Sequence, residues 1–167
     1  MNSDNLDPGF ITLTAEECFS AAIVGVGRRM SGLLGMSPKH GRKRYGSDLW
    51  GADIEAAGAE MAVAKYLGQY WTGVASTFKG PDVGIDIQVR HTERPTGLLI
   101  IRKDDNSAAA YVLVVGLMPS YEIVGYIYGG EAKRPEWLST FGQPTREPAY
   151  KVPRNALQNL LKGAMSL

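Results

Sequence analysis

Residues 82–90 read Asp82-Val-Gly-Ile-Asp86-Ile-Gln88-Val-Arg90, and polar side chains alternate with apolar ones along this stretch. Alternation with a period of two predicts a β-strand that buries one face. The other face then carries an acid, an amide and a cation, and Asp82 has the same parity just upstream. Such a row of side chains can hold a divalent metal ion and an anionic oxygen together. The stretch is therefore a candidate site for phosphodiester cleavage.

The composition of the chain bounds the class of protein. Its 167 residues are 44% hydrophobic and 21% charged, which is ordinary for one globular domain. A single cysteine, Cys18, cannot form an internal disulfide, and one cysteine with two histidines argues against a structural zinc site. Any metal ion would instead be bound by oxygen ligands, as Mg²⁺ or Mn²⁺ is.

The N-terminal segment and the hydropathy pattern bear on location. Residues 1–7 are polar and acidic, unlike a secretory signal. No apolar run approaches the roughly 18 residues that a membrane span needs. Together with the single cysteine, these features favour a cytoplasmic protein with no membrane partner.

Charge is distributed unevenly along a chain whose net charge is only +1. No acidic residue occurs between Cys18 and Ser47. The cations of this window are Arg28, Arg29, Lys39, Arg42, Lys43 and Arg44. A basic stripe of this kind is typical of a surface that binds a phosphate backbone, so we predict that the four cations within residues 39–44 contact DNA. A solvated loop with no partner is the alternative.

Two helices are predicted in the N-terminal half. The capping box Thr14-Ala-Glu-Glu17 marks the start of the first helix at about residue 15, and glycines end it within residues 32–35. A second helix extends from a cap at Ser47 to Leu67, with Gly68 directly after its end. The apolar residues of the first helix follow helical spacing, at Phe19, Ile23, Val26 and Met30.

The period then changes to that of strands. Strands are predicted at residues 73–79, 84–92, 97–103, 109–116 and 121–128, with a short extended piece at 150–152. Pro153 suits the first turn of a last helix, whose buried side would be Ala156, Leu157, Leu160 and Leu161. This order predicts an α/β (α+β) fold with a central mixed sheet of about five strands flanked by helices. Residues 1–13 are expected to be a flexible lead-in, and residues 14–167 a single domain.

Glu60 is the second candidate site residue. On a helix its neighbours three and four positions away are small and apolar: Ala56, Ala57, Val63 and Ala64. A carboxylate in such a patch is partly buried and needs a metal ion, an arginine or a hydrogen-bond donor as its partner. A helix-edge glutamate whose head reaches water is the alternative. In the same way, Asp82 after Pro81 could be only a turn residue.

Glu60, the Pro81-Asp82 pair and the Gln88-Val-Arg90 strand resemble the core motif of the PD-(D/E)XK nuclease superfamily. In that motif a helix acid precedes an aspartate and then an acid-x-lysine strand. The resemblance covers residues 48–128. It implies a restriction-endonuclease-like core, DNA as the substrate and Mg²⁺ or Mn²⁺ as the cofactor. The Asp-Val-Gly turn leading into a strand that ends Val-Arg is similar to that of small phage and prophage members.

Two positions depart from the motif. Gln88 stands where an acid is usual, as in the glutamine variant of Mrr-type restriction nucleases, and Arg90 stands where lysine is usual. The resemblance implies that Asp82 and Gln88 ligate the metal ion and that Glu60 orients a water or holds a second ion. It places Arg90 against the scissile phosphate, where an arginine stabilises charge but does not take up a proton. These four residues are the predicted catalytic set.

Two alternative functions are open. A catalytically inactive DNA-binding member of the fold would bind DNA in a way that weakens with salt and needs no metal ion. A protein–protein module, such as a phage accessory factor, would use the C-terminal helix and Trp137 as an interface. Many proteins of the superfamily act as dimers, so a homodimer is an open alternative to a monomer. If the chain is phage-encoded, its location would be the host cytoplasm.

Overall fold

A computed structural model describes residues 9–35, 49–75 and 80–160 of the chain. Three α-helices lie in this part: α1 (Ala15–Leu33), α2 (Leu49–Leu67) and the short α3 (Gly129–Ala132). Its strands are β1 (Gly9–Thr12), β2 (Ile87–Thr92), β3 (Leu99–Arg102), β4 (Ala110–Leu117), β5 (Ser120–Tyr128), β6 (Leu138–Ser139) and β7 (Ala149–Val152). Single 3₁₀ turns occur at Pro135–Trp137 and Arg154–Ala156.

The predicted α/β class is confirmed, with four strands in the central sheet. Their order is β1-β5-β4-β2; β2 runs parallel to β4 and the other pairs are antiparallel. The expected fifth strand, β3, pairs instead with β7 in a second sheet of order β3-β7-β6. Parallel neighbours need a crossover between them. β3 lies within the crossover from β2 to β4 and pairs outside the central sheet.

Both faces of the central sheet are covered. One face packs on α1 and α2 through residues such as Ile87, Val112 and Val114. The opposite face packs on the second sheet, where Leu99 and Ile101 of β3 are fully buried. This two-sided cover explains why β4 is continuously apolar, as strands buried on both faces are.

The helix ends agree with the sequence signals. At the start of α1, Thr14 and Glu17 form the reciprocal bonds of a capping box: the Glu17 N–H donates to the Thr14 hydroxyl and the Thr14 N–H donates to the Glu17 carboxylate. Helix α2 ends at Leu67, and Gly68 follows with a φ of +67° that disfavours any residue with a side chain. The predicted cap at Ser47 lies outside the described residues.

Three predictions about the ends of the chain and the first strand are contradicted over the residues that the structure describes. Gly9–Thr12 of the expected lead-in form β1, because they complete the edge of the sheet against β5. No strand forms in residues 73–75, the described part of the predicted strand 73–79. The predicted C-terminal helix is a single 3₁₀ turn, since the backbone of Gln158 exchanges hydrogen bonds of 2.9 and 2.8 Å with Tyr126 of β5. Leu161, at the end of that prediction, lies outside the described residues.

Helices α1 and α2 cross closely because α1 has small residues at the crossing. Ala21 and Gly25 are its buried residues. A Cβ at Gly25 would lie 2.5 Å from the Cα of Ile54, which is closer than two carbon atoms can approach. The glycine, which costs a helix some stability, is therefore required by the approach of the second backbone.

We expect Gly25→Ala to lower the free energy of unfolding by about 1–3 kcal/mol, because the added methyl group would push the two helices apart. Chemical denaturation measures this change. Gly27→Ala is the matched control in the same helix: its Cβ would meet only the Ala75 side chain, at 3.3 Å. That change should alter the unfolding free energy by less than about 1 kcal/mol. Equal costs for the two substitutions would contradict the close crossing.

The described residues include no helix that combines the length and the apolarity needed to cross a membrane.

Candidate active site

The turn before β2 fixes the position of Asp82. Its backbone N–H donates to the carbonyl of Ile87 (2.8 Å), and Val83 and Ile87 form an isolated antiparallel bridge. Gly84 has a φ of +60°, which lets the chain reverse within this short span. The Asp82 Oδ2 atom then accepts a hydrogen bond of 2.7 Å from the backbone N–H of Val89. The carboxylate is thus held on the open edge of β2.

Glu60 lies on the buried face of α2 and is only 5% exposed. Both of its carboxylate oxygens accept from the guanidinium of Arg28 on α1, at 2.5 and 2.7 Å. The indole N–H of Trp71 adds a longer bond of 3.4 Å. Arg28 also donates to the carbonyl of Val74, at 3.2 Å from Nη2. A buried carboxylate with a bidentate arginine partner is a stable arrangement, because neither charge lacks a partner.

Glu60 and Asp82 line one cleft between α2 and the turn. The other lining residues are Arg28, Thr72, Val74 and Pro81. The cavity measures about 10 Å³, which is room for about one water molecule. The sequence-based expectation that the helix acid and the aspartate turn face the same space therefore agrees with the structure.

The surroundings of Asp82 disfavour the ionised form of its carboxyl group. Burial and, second, the negative charge of Glu60 together raise the pKa of Asp82 to about 6. The Val89 N–H, Arg90 and Arg28 act in the opposite direction without cancelling the effect. A carboxyl group perturbed in this way inside a cleft is a functional-site candidate.

Gln88 and Arg90 are not brought into the cleft. On β2 they lie opposite Tyr111 and Leu113 of β4, on the face that packs against the second sheet, while α2 packs on the other face. The Arg90 guanidinium pairs with Asp105 at 3.1 Å and lies 5.0 Å from the centre of the Tyr111 ring. The Gln88 amide donates to the carbonyl of Gly80. The expectation of one pocket shared by Glu60, Asp82, Gln88 and Arg90 is corrected accordingly.

Arg28, rather than Arg90, supplies the guanidinium of the cleft. The charge pattern of the sequence places Arg28 only in the basic stripe. Helical spacing also puts residues 21, 25 and 28 on one face of α1, and this could have identified Arg28 as a residue of the helix–helix contact. An arginine on the small-residue face that packs against another helix must find a buried partner, and Glu60 is that partner.

The predicted DNA-contacting residues Lys39, Arg42, Lys43 and Arg44 lie outside the described residues.

The carboxylate oxygens of the cleft are the type of ligand that Mg²⁺ and Mn²⁺ prefer. These ions take carboxylate oxygens, and Mg²⁺ is commonly held by one or two carboxylates with water and substrate phosphate completing its shell. Glu60 and Asp82 are two such carboxylates in one cleft. Within the described part of the chain, no group of three or more His, Cys, Asp or Glu side chains is placed to hold a metal ion. The remaining ligands would therefore have to come from solvent, backbone or substrate.

Comparisons with protein-family models, curated proteins and solved structures give no match to this chain. The resemblance to the PD-(D/E)XK superfamily accordingly depends on the residues themselves. Of these, Glu60 and Asp82 lie at one cleft, and Gln88 and Arg90 lie on the far face of β2.

Proposed function

We propose that the cleft between α2 and the turn before β2 cleaves phosphodiester bonds in DNA with the help of Mg²⁺ or Mn²⁺. The observation that carries the proposal is the pairing of two carboxylates, Glu60 and Asp82, in one cleft where burial and mutual repulsion raise the pKa of Asp82 to about 6. A divalent cation would offset the negative charge that remains in the cleft beside the Arg28–Glu60 pair.

Asp82 and Glu60 are the residues that would hold the ion. When bound, such an ion lowers the pKa of water and stabilises the charge that develops on the phosphate. Asp82 must be ionised to hold the ion, so the affinity for the ion should fall as the pH is lowered below about 6. Arg28 fixes the orientation of Glu60 by its two parallel hydrogen bonds. It also places a permanent positive charge beside the cleft, where it would favour an anionic substrate.

A second function has its own support. Arg28 already neutralises Glu60, and Arg90 is held by Asp105 rather than free to face a phosphate. Both features favour a catalytically inactive DNA-binding member of the fold, in which Arg28 replaces the metal ion. Such a protein would bind DNA in a way that weakens with salt and is unchanged by EDTA. Either nucleic-acid function fits a cytoplasmic location, or the host cytoplasm for a phage-encoded chain.

The test is a panel of labelled linear, nicked and branched DNA incubated with the protein in Mg²⁺, Mn²⁺ or EDTA. We expect cleavage with Mn²⁺ or Mg²⁺ and none in EDTA. Asp104→Asn is the matched control for variants of Asp82, because Asp104 is an exposed aspartate that does not line the cleft. Metal-independent binding without cleavage would select the inactive DNA-binding function. If the protein neither binds nor cleaves DNA, the protein–protein module is the function that remains.

A further inference from the structure

Helix α1 exposes a continuous apolar stripe. Its residues are Phe19, Ile23, Val26, Met30 and Leu33, which we call the α1 stripe. Each of these side chains is between 40% and 69% exposed. An exposed leucine is ordinary, but five large apolar residues in register along one helix are not.

The α1 stripe is a second face of the helix, distinct from the face that packs on the core. The core face is formed by Ala21, Gly25 and Arg28: Ala21 is buried in the core, and Gly25 and Arg28 contact α2. At about 100° per residue, the stripe lies on roughly the opposite side of the helix from these three residues. The packing of α1 on α2 therefore does nothing to remove the stripe from water.

The spacing of the stripe is that of a two-helix seam. Its steps along the sequence are four, three, four and three residues, which is the a/d repeat of a coiled coil. The flanking residues Ser20 and Ala22 are small and would let a second helix approach closely. Single amphipathic faces that only contact a domain core are usually broader than such a seam.

The area of the stripe reaches the minimum that a dimer interface needs. The side chains of the stripe together expose on the order of 500 Å², which is in the upper part of the range of roughly 300–600 Å² for the largest apolar patch of a monomer, a patch that is often functional. Two such faces in contact would bury about 1,000 Å², which is the lower bound for a specific protein interface. A helix that packs on its own copy by the same residues satisfies the symmetry of a two-fold interface.

We propose that a second copy of this chain covers the α1 stripe, so that two α1 helices form the centre of a two-fold dimer. Each domain would then lie on the outer side of its own α1, attached through α2. The cleft that Arg28 lines is on the α2 side of α1 and would stay open in the dimer.

Sedimentation equilibrium of the full chain across a wide range of concentration tests the proposal. We expect a monomer–dimer equilibrium for the natural sequence. Ile23→Glu, at the middle of the seam, should weaken the dimer by about 100-fold or more, because it opposes two carboxylates across an apolar contact. Met30→Glu should have a similar effect and serves if the first variant folds poorly.

The matched control is Ile85→Glu, the same substitution at another exposed isoleucine, in the turn before β2. It should leave the dimerisation constant unchanged, and circular dichroism checks that all variants keep their helix content. A chain that stays monomeric at every concentration overturns the proposal, whether or not it then binds lipid vesicles through α1. A dimer that both stripe variants leave intact also overturns it.

Discussion

We expect Asp82→Asn to stabilise the folded protein above about pH 7 and, in the same molecule, to abolish metal-dependent DNA cleavage. The stabilising half follows from the pKa of Asp82, which rises from its ordinary value of 3.8 to about 6 in the folded state. Asparagine cannot ionise, so it removes the cost of a buried charge beside Glu60. It retains a side-chain oxygen that can accept from the Val89 N–H.

The pH window follows from the direction of the shift. Below about pH 4 the aspartate is protonated in both states, so the natural protein and the variant should have similar stabilities. Between about pH 4 and 6 the unfolded chain ionises first, and the natural protein progressively loses stability. Above that range the loss is complete and amounts to at most roughly 3 kcal/mol, at about 1.4 kcal/mol per pKa unit. Denaturant unfolding at three pH values measures it.

A joint gain of stability and loss of activity is a signature of a functional carboxylate, because stability is commonly lowered at such sites. The loss of cleavage is measured on the DNA substrate that the natural protein cuts best. Asp104→Asn should change neither quantity by a comparable amount, since Asp104 is exposed. If Asp82→Asn instead destabilised the protein at every pH, the carboxylate would be only an edge cap for β2.

Local signals in the sequence predicted the elements well, because they depend on residues that are close in the chain. The capping box of Thr14 and Glu17 and the glycine after Leu67 fix helix ends through bonds within a few residues. The strands β2, β4 and β5 likewise follow from their own alternation or apolarity. What local signals do not specify is which strands become neighbours, and β3 was misplaced for that reason.

The face of α1 shows a second limit. Periodicity identified Phe19, Ile23, Val26 and Met30 as one apolar face, and that face exists. However, the core contact is made by the face with Ala21 and Gly25, because small residues allow the closest crossing with α2. When a helix has both an apolar face and a face of small residues, the spacing of its own residues does not determine which face packs on the core.

Parity explains the part of the site that was predicted incorrectly. Asp82, Gln88 and Arg90 were expected on one strand face because they are separated by even numbers of residues. Parity holds only along an unbroken strand. The reversal between Val83 and Ile87 breaks the strand, so Asp82 faces α2 while Gln88 and Arg90 face the second sheet. The pairing of Arg28 with Glu60 joins residues from two helices, and no local pattern specifies it.

Arg28→Met should be among the most destabilising single substitutions in the described part of the chain. Among the described residues, it leaves the buried carboxylate of Glu60 with only the long hydrogen bond from Trp71. An uncompensated buried charge of this kind costs about 3–5 kcal/mol. Arg90→Met is the matched control, because it removes an arginine from a more exposed ion pair with Asp105. The control should cost about 1 kcal/mol, since such pairs contribute little.

The double variant Arg28→Met/Glu60→Gln separates loss of the pair from loss of packing. Removing the carboxylate as well should recover much of the stability, because no buried charge then remains. A double variant as unstable as Arg28→Met alone would mean that the arginine acts mainly through its bond to Val74. A cost for Arg28→Met no larger than that of Arg90→Met would contradict a buried Glu60.

Mn²⁺ added to the natural protein and to Arg28→Met distinguishes the two nucleic-acid functions. Without the guanidinium, Glu60 and Asp82 become two unneutralised carboxylates in one cleft, and this raises their affinity for a divalent cation. A ligand that binds only the folded state raises its stability in proportion to that affinity. Mn²⁺ should therefore raise the melting temperature of Arg28→Met under either function, and the response of the natural protein separates the two. If the cleft is a metal site, Mn²⁺ should also raise the melting temperature of the natural protein, and it should have a much smaller effect on the double variant, in which one of the two carboxylates is gone. A natural protein that does not respond, beside an Arg28→Met variant that does, would mean that Arg28 is the permanent cation of the cleft.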